Sequence, residues 1–537
     1  MVKKAVKISA KPKKIFENKE GKIQGMKISK VLVGYPPVES AKGTALLSQN
    51  RQFQYFQVAS FLFPVAMGTG ATMARDKGYN VIWHDAVAEY MNTQDYDKML
   101  EREKPEIFFF ETKAPVVKKH WASIKHLKQK FPQMKIVICG DHVSYDARET
   151  MENSPVDFVI KGGYYDFAFC ELLDALKNGE KIPQGIWYRA GGNPLSLTPQ
   201  NKYGEIVDNG RYDFTGKLDD APIIDRKLTK NQNYQIEFNL KGRPLAYIMS
   251  GRDCWYGKCT FCVWDHTLYP KGTFKVRSPE NVMKEVKYLV DEMGVKEIFD
   301  DCGTITVGPW LEKFCKLMVE SGYNKKVMYS CNMRFGAVNF EQYKMMKNAG
   351  FRLLKYGLES GCQKTIDKLD KGTTIPGVIT SCRDATRAGL TVHLTMMVGY
   401  PWESKNDAME TVKLATKLMT KGYAEILQST VIVPYPGTPL YEEGKEKGWF
   451  RFDPKDYERF DMTEPVFKTP DMSVKEVQQL CQMNYRIYLD PRYVLRQVGK
   501  VRDMQDLMYN IKGIKAVIGH IVQFGKEYET EKVKVEQ

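Results

Sequence analysis

The chain has 537 residues, a formal net charge of +15 and 11 cysteines, and hydrophobic residues make up 43% of it. At roughly 100–200 residues per domain, this length predicts two to four domains in an ordinary globular protein. The N-terminus lacks the apolar region of a signal peptide, and no apolar run approaches the roughly 18 residues of a membrane-spanning helix. Scattered cysteines without a leader favour reduced thiols in a cytoplasm over a disulfide framework.

The positive charge is compatible with three kinds of partner: nucleic acid, an anionic membrane surface or an anionic cofactor. The lysines are, however, spread over predicted helix faces and concentrated at the N-terminus, as on an ordinary solvated surface. No RNA-binding module or aromatic-rich basic stripe accompanies them, so we expect no nucleic-acid site.

The N-terminal part of the chain alternates between strands and helices. Residues 1–26 are basic and polar and are expected to form a disordered arm. Residues 27–180 contain five apolar runs typical of buried parallel strands: Ile28–Tyr35, Asn80–His84, Glu106–Glu111, Lys135–Cys139 and Val156–Ile160. Helices are predicted between them at Pro64–Lys77, Trp121–Phe131 and Phe167–Lys177. The pattern predicts an α/β fold with a Rossmann-like, doubly wound sheet.

After a connecting region predicted for residues 181–240, a second βα series occupies residues 241–455. Ser278 is the predicted N-cap of a helix that begins with Pro279. The predicted strands are Pro244–Met249, Glu297–Phe299, Lys326–Tyr329, Leu353–Tyr356, Thr391–Val398 and Glu425–Val433. Six such strands predict a partial (β/α)6 barrel with its reactive groups at the C-terminal ends of the strands. Residues 456–537 are predicted to form a helical C-terminal domain, with helices at Tyr485–Val494 and Ile511–Phe524.

Three cysteines follow the first barrel strand within nine residues: Cys254, Cys259 and Cys262. Three thiolates can hold three irons of a [4Fe–4S] cluster and leave the fourth iron open to bind a small molecule. A zinc site with His266 as fourth ligand is the alternative, although zinc sites often use two CxxC pairs. A disulfide is the least favoured alternative.

With these cysteines, further stretches in the same order resemble the radical S-adenosylmethionine (SAM) superfamily. They are VRSPENVMKEV (276–286), EIFDDCGT (297–304), CNMRFGAVNFEQYKMMKNAGF (331–351), KYGLESG (355–361), MVGYPWES (397–404) and VPYPGTPLY (433–441). The resemblance implies a cluster held by the three cysteines, SAM on the open iron, and reductive cleavage of SAM to a 5′-deoxyadenosyl radical. It further implies that Phe261 lies beside the adenine, that Glu359 contacts SAM, and that Arg334 faces SAM or substrate, with Asp300 and Asp301 similarly placed. For Glu359 and Arg334, a salt bridge at the barrel rim is the alternative. The CxxxxCxxC spacing has one residue more than the family's usual CxxxCxxC.

The N-terminal unit ahead of the barrel resembles the cobalamin-binding subgroup of that superfamily. The matching stretches are VLVGYPP (31–37), HDA (84–86), CGDHVSYDARE (139–149) and DFVIKGGYYDFAFCELLDAL (157–176). The resemblance implies that cobalamin contacts the ends of the strands at nine residues: Tyr35, Pro36, Glu111, Thr112, Gly140, His142, Ser144, Gly162 and Gly163.

Two departures from the subgroup's pattern bear on this expectation. The DxHxxG signature is absent, so cobalamin is expected without an axial protein histidine, and KGGYYD stands where relatives commonly have an acidic turn. A Rossmann-like domain that binds no cobalamin is the alternative. A nicotinamide site is disfavoured because no GxGxxG opens the first helix.

The resemblance implies a cobalamin-dependent radical SAM enzyme, with methyl transfer from methylcobalamin to an unactivated carbon (or phosphinate phosphorus) as the preferred reaction. Radical-driven oxidation or ring formation is the runner-up, and methylthio transfer is disfavoured because no second cysteine triad precedes the barrel. A non-catalytic cobalamin or cluster sensor and an RNA-binding protein are alternatives from other classes.

The same resemblance sets the expected partners. They are a small-molecule or lipid-like substrate and an electron donor such as ferredoxin or flavodoxin. The C-terminal stretch LDPRYVLRQ (489–497) resembles the tail of lipid- and tetrapyrrole-modifying members. The basic amphipathic helices around it therefore predict peripheral contact with a membrane or an apolar substrate.

Overall fold

The computed structural model describes residues 23–47, 52–57, 59–190, 203–236 and 239–523. Most of the predicted N-terminal arm, and Phe524 at the end of the last predicted helix, lie outside these residues. Within them, no helix has both the length and the apolar character needed to cross a membrane.

The N-terminal domain is built on a seven-stranded sheet, with a two-stranded hairpin beside it. Its strands are β1 (Lys30–Tyr35), β2 (Thr44–Ala45), β3 (Tyr55–Phe56), β4 (Asn80–Asp85), β5 (Ile107–Thr112), β6 (Lys135–Gly140), β7 (Phe158–Ile160), β8 (Ile186–Ala190) and β9 (Glu205–Val207). The sheet order is β4-β1-β5-β6-β7-β8-β9, and β2 pairs with β3. The strands β4, β1, β5, β6 and β7 run parallel to one another, which confirms the predicted doubly wound core.

Two antiparallel strands, β8 and β9, extend this sheet into the segment that composition marked as a connecting region. The sequence did not predict them, because they are short strands among Gly, Pro and Asn residues. β8 pairs with β7 and β9 pairs with β8, so their conformation depends on partners outside their own segments.

Helices cover both faces of the sheet: α1 (Val65–Asp76), α2 (Thr93–Glu103), α3 (Val117–Lys130), α4 (Asp141–Tyr145), α5 (Ala147–Asn153) and α6 (Tyr165–Asn178). Small residues on α1 allow close packing on α6, since a Cβ at Gly70 would lie 3.3 Å from the Asp166 Cα. Because successive strand residues point to opposite faces, Phe109 packs in the main core and Phe110 in a second cluster on the other face.

The second domain contains six parallel strands and a small antiparallel pair. They are β10 (Leu245–Ile248), β11 (Gly251–Arg252), β12 (Lys275–Val276), β13 (Glu297–Asp300), β14 (Met328–Met333), β15 (Phe351–Glu359), β16 (Thr391–Val398) and β17 (Ile426–Val431). The order β10-β13-β14-β15-β16-β17 is that of an open barrel, as predicted, while β11 pairs with β12.

Helices alternate with these strands: α7 (Pro279–Asp291), α8 (Pro309–Glu320), α9 (Phe340–Asn348), α10 (Gln363–Lys368), α11 (Ile375–Arg387), α12 (Lys405–Thr420) and α13 (Pro439–Glu446). The Ser278 side chain caps α7 by accepting from the Asn281 amide, as expected.

The C-terminal region is helical: α14 (Val474–Tyr485), α15 (Pro491–Val498) and α16 (Met504–Gln523). The single helix predicted over Tyr485–Val494 was wrong, because α14 ends at its first residue and α15 begins inside it. Pro491 explains the break, since proline favours the first helical position and Asp490 caps the new helix by accepting from the Arg492 amide.

The edge strand β17 is covered by tyrosine side chains rather than by another strand. Tyr488 Oη lies 2.6 Å from the Leu427 amide nitrogen and 2.9 Å from the Leu427 carbonyl oxygen. Tyr485 serves both backbone groups of Ser429 in the same way, with both distances at 3.0 Å. These contacts occupy backbone groups that would otherwise template pairing with another chain.

Candidate functional site

The cysteine loop leaves the barrel just after β10 and lies at the carboxyl end of the strands. The β11–β12 pair closes its base, with Gly251 opposite Val276 and Arg252 opposite Lys275. All eleven cysteines are free, which does not support a disulfide, and eight of them are buried. The three that are partly exposed are Cys254, Cys259 and Cys262, and all three line one cavity.

The extra residue in the CxxxxC spacing is accommodated by a glycine turn. Gly257 adopts a φ of +58°, a left-handed conformation that glycine reaches without steric cost. Gly303, at the end of β13, makes room for the loop, since a Cβ there would lie 2.5 Å from the Asp253 carbonyl oxygen and 2.9 Å from the Cys254 Cβ. The longer loop therefore still brings the three cysteines to one cavity.

A cluster and a zinc ion would require different arrangements of the candidate ligands. Within the described part of the chain, no three His, Cys, Asp or Glu side chains form a group that could hold a metal ion. His266, the candidate fourth zinc ligand, has its Nε2 3.1 Å from the Cys259 carbonyl oxygen. A zinc ion needs its ligands around one point, whereas each thiolate of a four-iron cluster binds a different iron.

The cavity brings together every barrel residue that the sequence predicted for cofactor binding except Asp300. Phe261, Asp301, Arg334 and Glu359 line it together with the three cysteines. Asp301 accepts a hydrogen bond of 3.1 Å from the Asn332 side-chain amide.

Asp300, which ends β13, is buried and does not line this cavity. It accepts from the Ser250 amide at 2.9 Å and from the Tyr329 hydroxyl at 2.8 Å. Of the two adjacent aspartates, only Asp301 lines the cavity.

Glu359 forms a close ion pair inside the cavity wall. Lys371 Nζ lies 2.6 Å from Glu359 Oε1. Burial by itself lowers the pKa of Lys371, but the adjacent Glu359 carboxylate outweighs burial and the pKa is raised. Gly357 leaves the space for this pair, since a Cβ there would collide with the Glu359 carboxylate.

Arg334 stacks on the cysteine loop. Its guanidinium carbon lies 3.4 Å from the centroid of the Tyr256 ring, and the guanidinium donates to the Lys371 carbonyl oxygen. The Tyr256 hydroxyl donates to the Asp370 carbonyl oxygen at 2.9 Å, and the Thr260 amide donates to the Leu369 carbonyl oxygen at 3.1 Å. The segment after α10 is therefore tied to the loop that carries the cysteines.

Lys371 and Tyr256 were missed by the sequence analysis. Lys371 follows a helix rather than a strand, so the rule that places reactive groups at strand ends could not find it. Tyr256 lies between two of the predicted ligands, in CWYGKC, and this position was the one sequence feature that could have identified it.

Buried contacts join the two domains next to this site. Arg252, two residues before Cys254, forms a bidentate ion pair with Asp166 at the start of α6, and one of its two bonds measures 2.7 Å. Gly163 donates its amide to the Leu268 carbonyl oxygen at 2.7 Å. A Cβ at Gly163 would lie 2.5 Å from the Tyr269 ring, so the domains approach each other closely here.

The nine residues predicted to contact cobalamin lie at the carboxyl edge of the N-terminal sheet or in the turns that follow it. The buried Tyr35 hydroxyl donates to Glu111 Oε2 at 2.8 Å, and burial raises the pKa of Glu111 to about 7. Ser144 Oγ lies 2.7 Å from the Gly140 carbonyl oxygen and accepts from the Gly162 amide at 3.0 Å.

His142 is buried, with its ring 4.6 Å from that of Tyr457 and its Nε2 3.2 Å from the Glu149 carboxylate. None of the nine residues lines the cavity at the cysteines, whereas Gln52 does. Their contacts with cobalamin stay a prediction.

Known proteins match both the barrel and the whole chain. The model of the radical SAM superfamily matches residues 248–415. An uncharacterized methyltransferase of Pyrococcus horikoshii is 24% identical over 479 residues, which are 88% of this chain and 95% of that protein. The anaerobic magnesium-protoporphyrin IX monomethyl ester cyclase of Cereibacter sphaeroides is 23% identical over 419 residues, which are 75% of this chain and 63% of the cyclase.

A solved structure shares the fold across both domains. It is the cobalamin-dependent S-adenosylmethionine radical enzyme OxsB with aqua-cobalamin and S-adenosylmethionine bound. The TM-score is 0.64 at 14% sequence identity, and the superposition covers 92% of this chain and 72% of OxsB.

Proposed function

We propose that this chain, which carries a radical SAM domain and shares its fold with a cobalamin-dependent radical SAM enzyme, methylates an unactivated carbon (or phosphinate phosphorus) of a small-molecule or lipid-like substrate. One observation carries the proposal. The three partly exposed cysteines share a cavity with the aromatic, acidic and basic side chains expected around SAM, directly beside the Rossmann-like domain.

The chain's own residues would hold SAM by charge and stacking. Glu359 and Lys371 present one carboxylate and one ammonium group, which match the amino and carboxylate groups of an amino acid. Phe261 offers a ring for the adenine, and Lys371 Nζ lies 5.7 Å from the centroid of that ring. A [4Fe–4S] cluster on the three cysteines would supply the electron that cleaves SAM.

Burial disfavours the thiolate form of the Cys259 side chain. Burial is the main cause that raises the pKa of Cys259 to about 11, although the Lys371 cation opposes the shift. The thiol therefore stays protonated at neutral pH until iron displaces the proton.

The region between the two domains fits a cofactor bound at the sheet edge. Gln52 lines the cavity, and the Phe53 amide donates to the Tyr435 hydroxyl at 2.9 Å, so the segment after β2 reaches the barrel. Among the residues that the structure describes, the buried Gln54 side-chain oxygen has no hydrogen-bond partner, and it can accept from a polar cofactor group. Cobalamin placed there would supply the methyl group to a substrate in the cavity.

The test is anaerobic purification with a reconstituted cluster, followed by iron, sulfide and cobalt analysis and an assay for SAM cleavage. We expect about four irons per chain, as a [4Fe–4S] cluster holds, together with bound cobalamin and 5′-deoxyadenosine in the presence of reductant. Cys259→Ala should lose the cluster, whereas the matched control Cys382→Ala, at a buried cysteine on α11, should keep it. An intact cluster in Cys259→Ala would overturn the ligand assignment, and a missing SAM-cleavage product would favour a sensor.

Ring formation or oxidation is the second candidate, favoured by the similarity to the cyclase of Cereibacter sphaeroides. The two candidates differ in the fate of the SAM methyl group. With methyl-labelled SAM, label in the product supports methyl transfer, and an unlabelled oxidised or cyclised product supports the alternative.

A further inference from the structure

The C-terminal helices expose an unusual amount of apolar surface. Eleven of the fourteen large hydrophobic side chains that are exposed in the described part of the chain lie between Leu489 and Ile518. Among them, Leu495 is 73% exposed, Met504 70% and Ile514 60%. Soluble proteins rarely leave contiguous apolar patches of this kind uncovered, so the patch indicates an interaction surface.

Helix α16 is turned with its polar side towards the protein. Asp506 pairs with Lys241, and the Tyr509 hydroxyl donates to the Asn239 carbonyl oxygen at 3.4 Å. An apolar stripe is exposed elsewhere on the helix, with helical spacing, at Met504, Leu507, Met508, Ile511, Ile514 and Ile518. Four of these residues, Leu507, Ile511, Ile514 and Ile518, border an open groove against α15 and the start of β17. An ordinary surface helix buries its apolar stripe, whereas α16 presents that stripe to its surroundings.

Helix α15 continues the same surface. The Tyr493 hydroxyl donates to the Glu425 carbonyl oxygen at 3.0 Å and Arg496 donates to the Thr420 carbonyl oxygen at 3.0 Å, which hold the helix on the barrel. Leu495 and Val498 remain exposed. A groove runs between the two helices and is lined by Tyr488, Val498, Val501, Leu507, Ile511 and Ile514.

The charges beside the apolar stripe are positive. Lys512 and Lys515 are exposed on α16, and its one acidic residue, Asp506, is already paired with Lys241. A second copy of the chain packed on this face would bring these lysines near their own counterparts, which like-charge repulsion opposes. The 14 residues after α16 carry seven charged side chains, so they are a poor match for an apolar groove.

We propose that α15 and α16 dock on an anionic phospholipid bilayer, with the α16 stripe in the interface and Lys512 and Lys515 against the headgroups. Apolar area combined with flanking cations is the combination that holds amphipathic helices at such surfaces. Helix α16 contacts Asn239 and Lys241, which precede β10, and so lies at the amino end of the barrel strands. The cysteine cavity, at the carboxyl end, stays uncovered on the docked enzyme.

The test is flotation of the full chain with vesicles of phosphatidylcholine alone or of phosphatidylcholine mixed with phosphatidylglycerol. We expect binding to the mixed vesicles only, weakened by salt. Lys512→Gln/Lys515→Gln should weaken binding about thirtyfold, since each cation near an anionic surface contributes about 1 kcal/mol and 1.4 kcal/mol is tenfold. Ile514→Glu/Ile518→Glu should abolish binding.

Matched control positions lie on α8, which is far from α15 and α16 in the sequence. Val319→Glu changes another exposed hydrophobic residue, and Lys316→Gln another exposed lysine, and both should bind like the parent. All variants should cleave SAM like the parent, which separates a failure of docking from a failure of the proposed function. Absent binding, equal binding to both vesicle types, or a dimer that Ile514→Glu/Ile518→Glu dissociates would each overturn the proposal.

Discussion

The ion pair between Arg252 and Asp166 gives the sharpest prediction about how the two domains hold the cysteine loop. Arg252 is 4% exposed and Asp166 is fully buried, and two guanidinium nitrogens meet two carboxylate oxygens. Arg252→Met keeps much of the side-chain volume but leaves the Asp166 carboxylate buried without its partner. Breaking a buried pair on one side costs about 3–5 kcal/mol, because the remaining charge is uncompensated.

The double variant Arg252→Met/Asp166→Leu removes both charges from the same interface. Because it leaves no buried charge behind, we expect a free energy of unfolding within about 1 kcal/mol of the parent. The difference between the single and double variants then measures the interaction between these two side chains. The exposed pair Lys98–Asp95 is the control, and Lys98→Met should cost no more than about 1 kcal/mol.

The measurement is urea unfolding under anaerobic, reducing conditions, followed by tryptophan fluorescence, with iron content determined in parallel. Since Arg252 lies two residues before Cys254, Arg252→Met should also retain less iron after reconstitution than the double variant. If Arg252→Met and Lys98→Met are equally stable, the buried pair does not hold the domains and the reasoning is refuted.

Three further predictions concern other parts of the molecule. Gly303→Ala should lower iron incorporation because a Cβ there meets the Asp253 carbonyl oxygen, whereas Gly513→Ala, where nothing lies within 4 Å of the added Cβ, should not. Burial raises the folded-state pKa of Glu111 from 4.5 to about 7, so the folded protein binds the extra proton and stability falls by about 3 kcal/mol as the pH rises through that interval. In urea unfolding at pH 5 and pH 7.5, the Glu111→Gln variant should not show this loss of unfolding free energy. If it loses as much as the parent between the two pH values, the prediction is wrong. Tyr488→Phe should cost about 1–3 kcal/mol by leaving the Leu427 backbone unpaired, while Tyr90→Phe, at an exposed ring, should cost almost nothing in the same assay.

Local pattern was enough to locate the central strands, because buried parallel strands are continuous apolar runs. All eleven predicted strands exist, although their ends shift by a few residues. The pattern failed for β8, which pairs with β7, and for β9, which pairs with β8, because these pairings decide the conformation. It also failed for the helix predicted over Tyr485–Val494, where Pro491 starts a new helix.

The candidate cofactor site was likewise predictable only in part. Cys254, Cys259 and Cys262 were visible because their ligand chemistry lies within nine residues, and Arg334 and Glu359 because they sit near the ends of barrel strands. Lys371 could not be predicted from the sequence, because what marks it is the 2.6 Å contact between its Nζ and Glu359 Oε1 in the cavity wall. Gly357 and Gly303 likewise matter only because of what a side chain would meet in space.

The sequence by itself predicted the two-domain α/β order, the resemblance to the radical SAM superfamily and three candidate cluster ligands, because each depends on residue type and short-range spacing. Only the tertiary structure decided which residues share the cavity, how Arg252 and Asp166 join the domains, and that α16 turns its apolar side outward. Periodicity shows that a helix has an apolar face, but the direction of that face depends on what the other face packs against. For α16 those partners are Lys241 and Asn239, which lie more than 200 residues earlier in the chain.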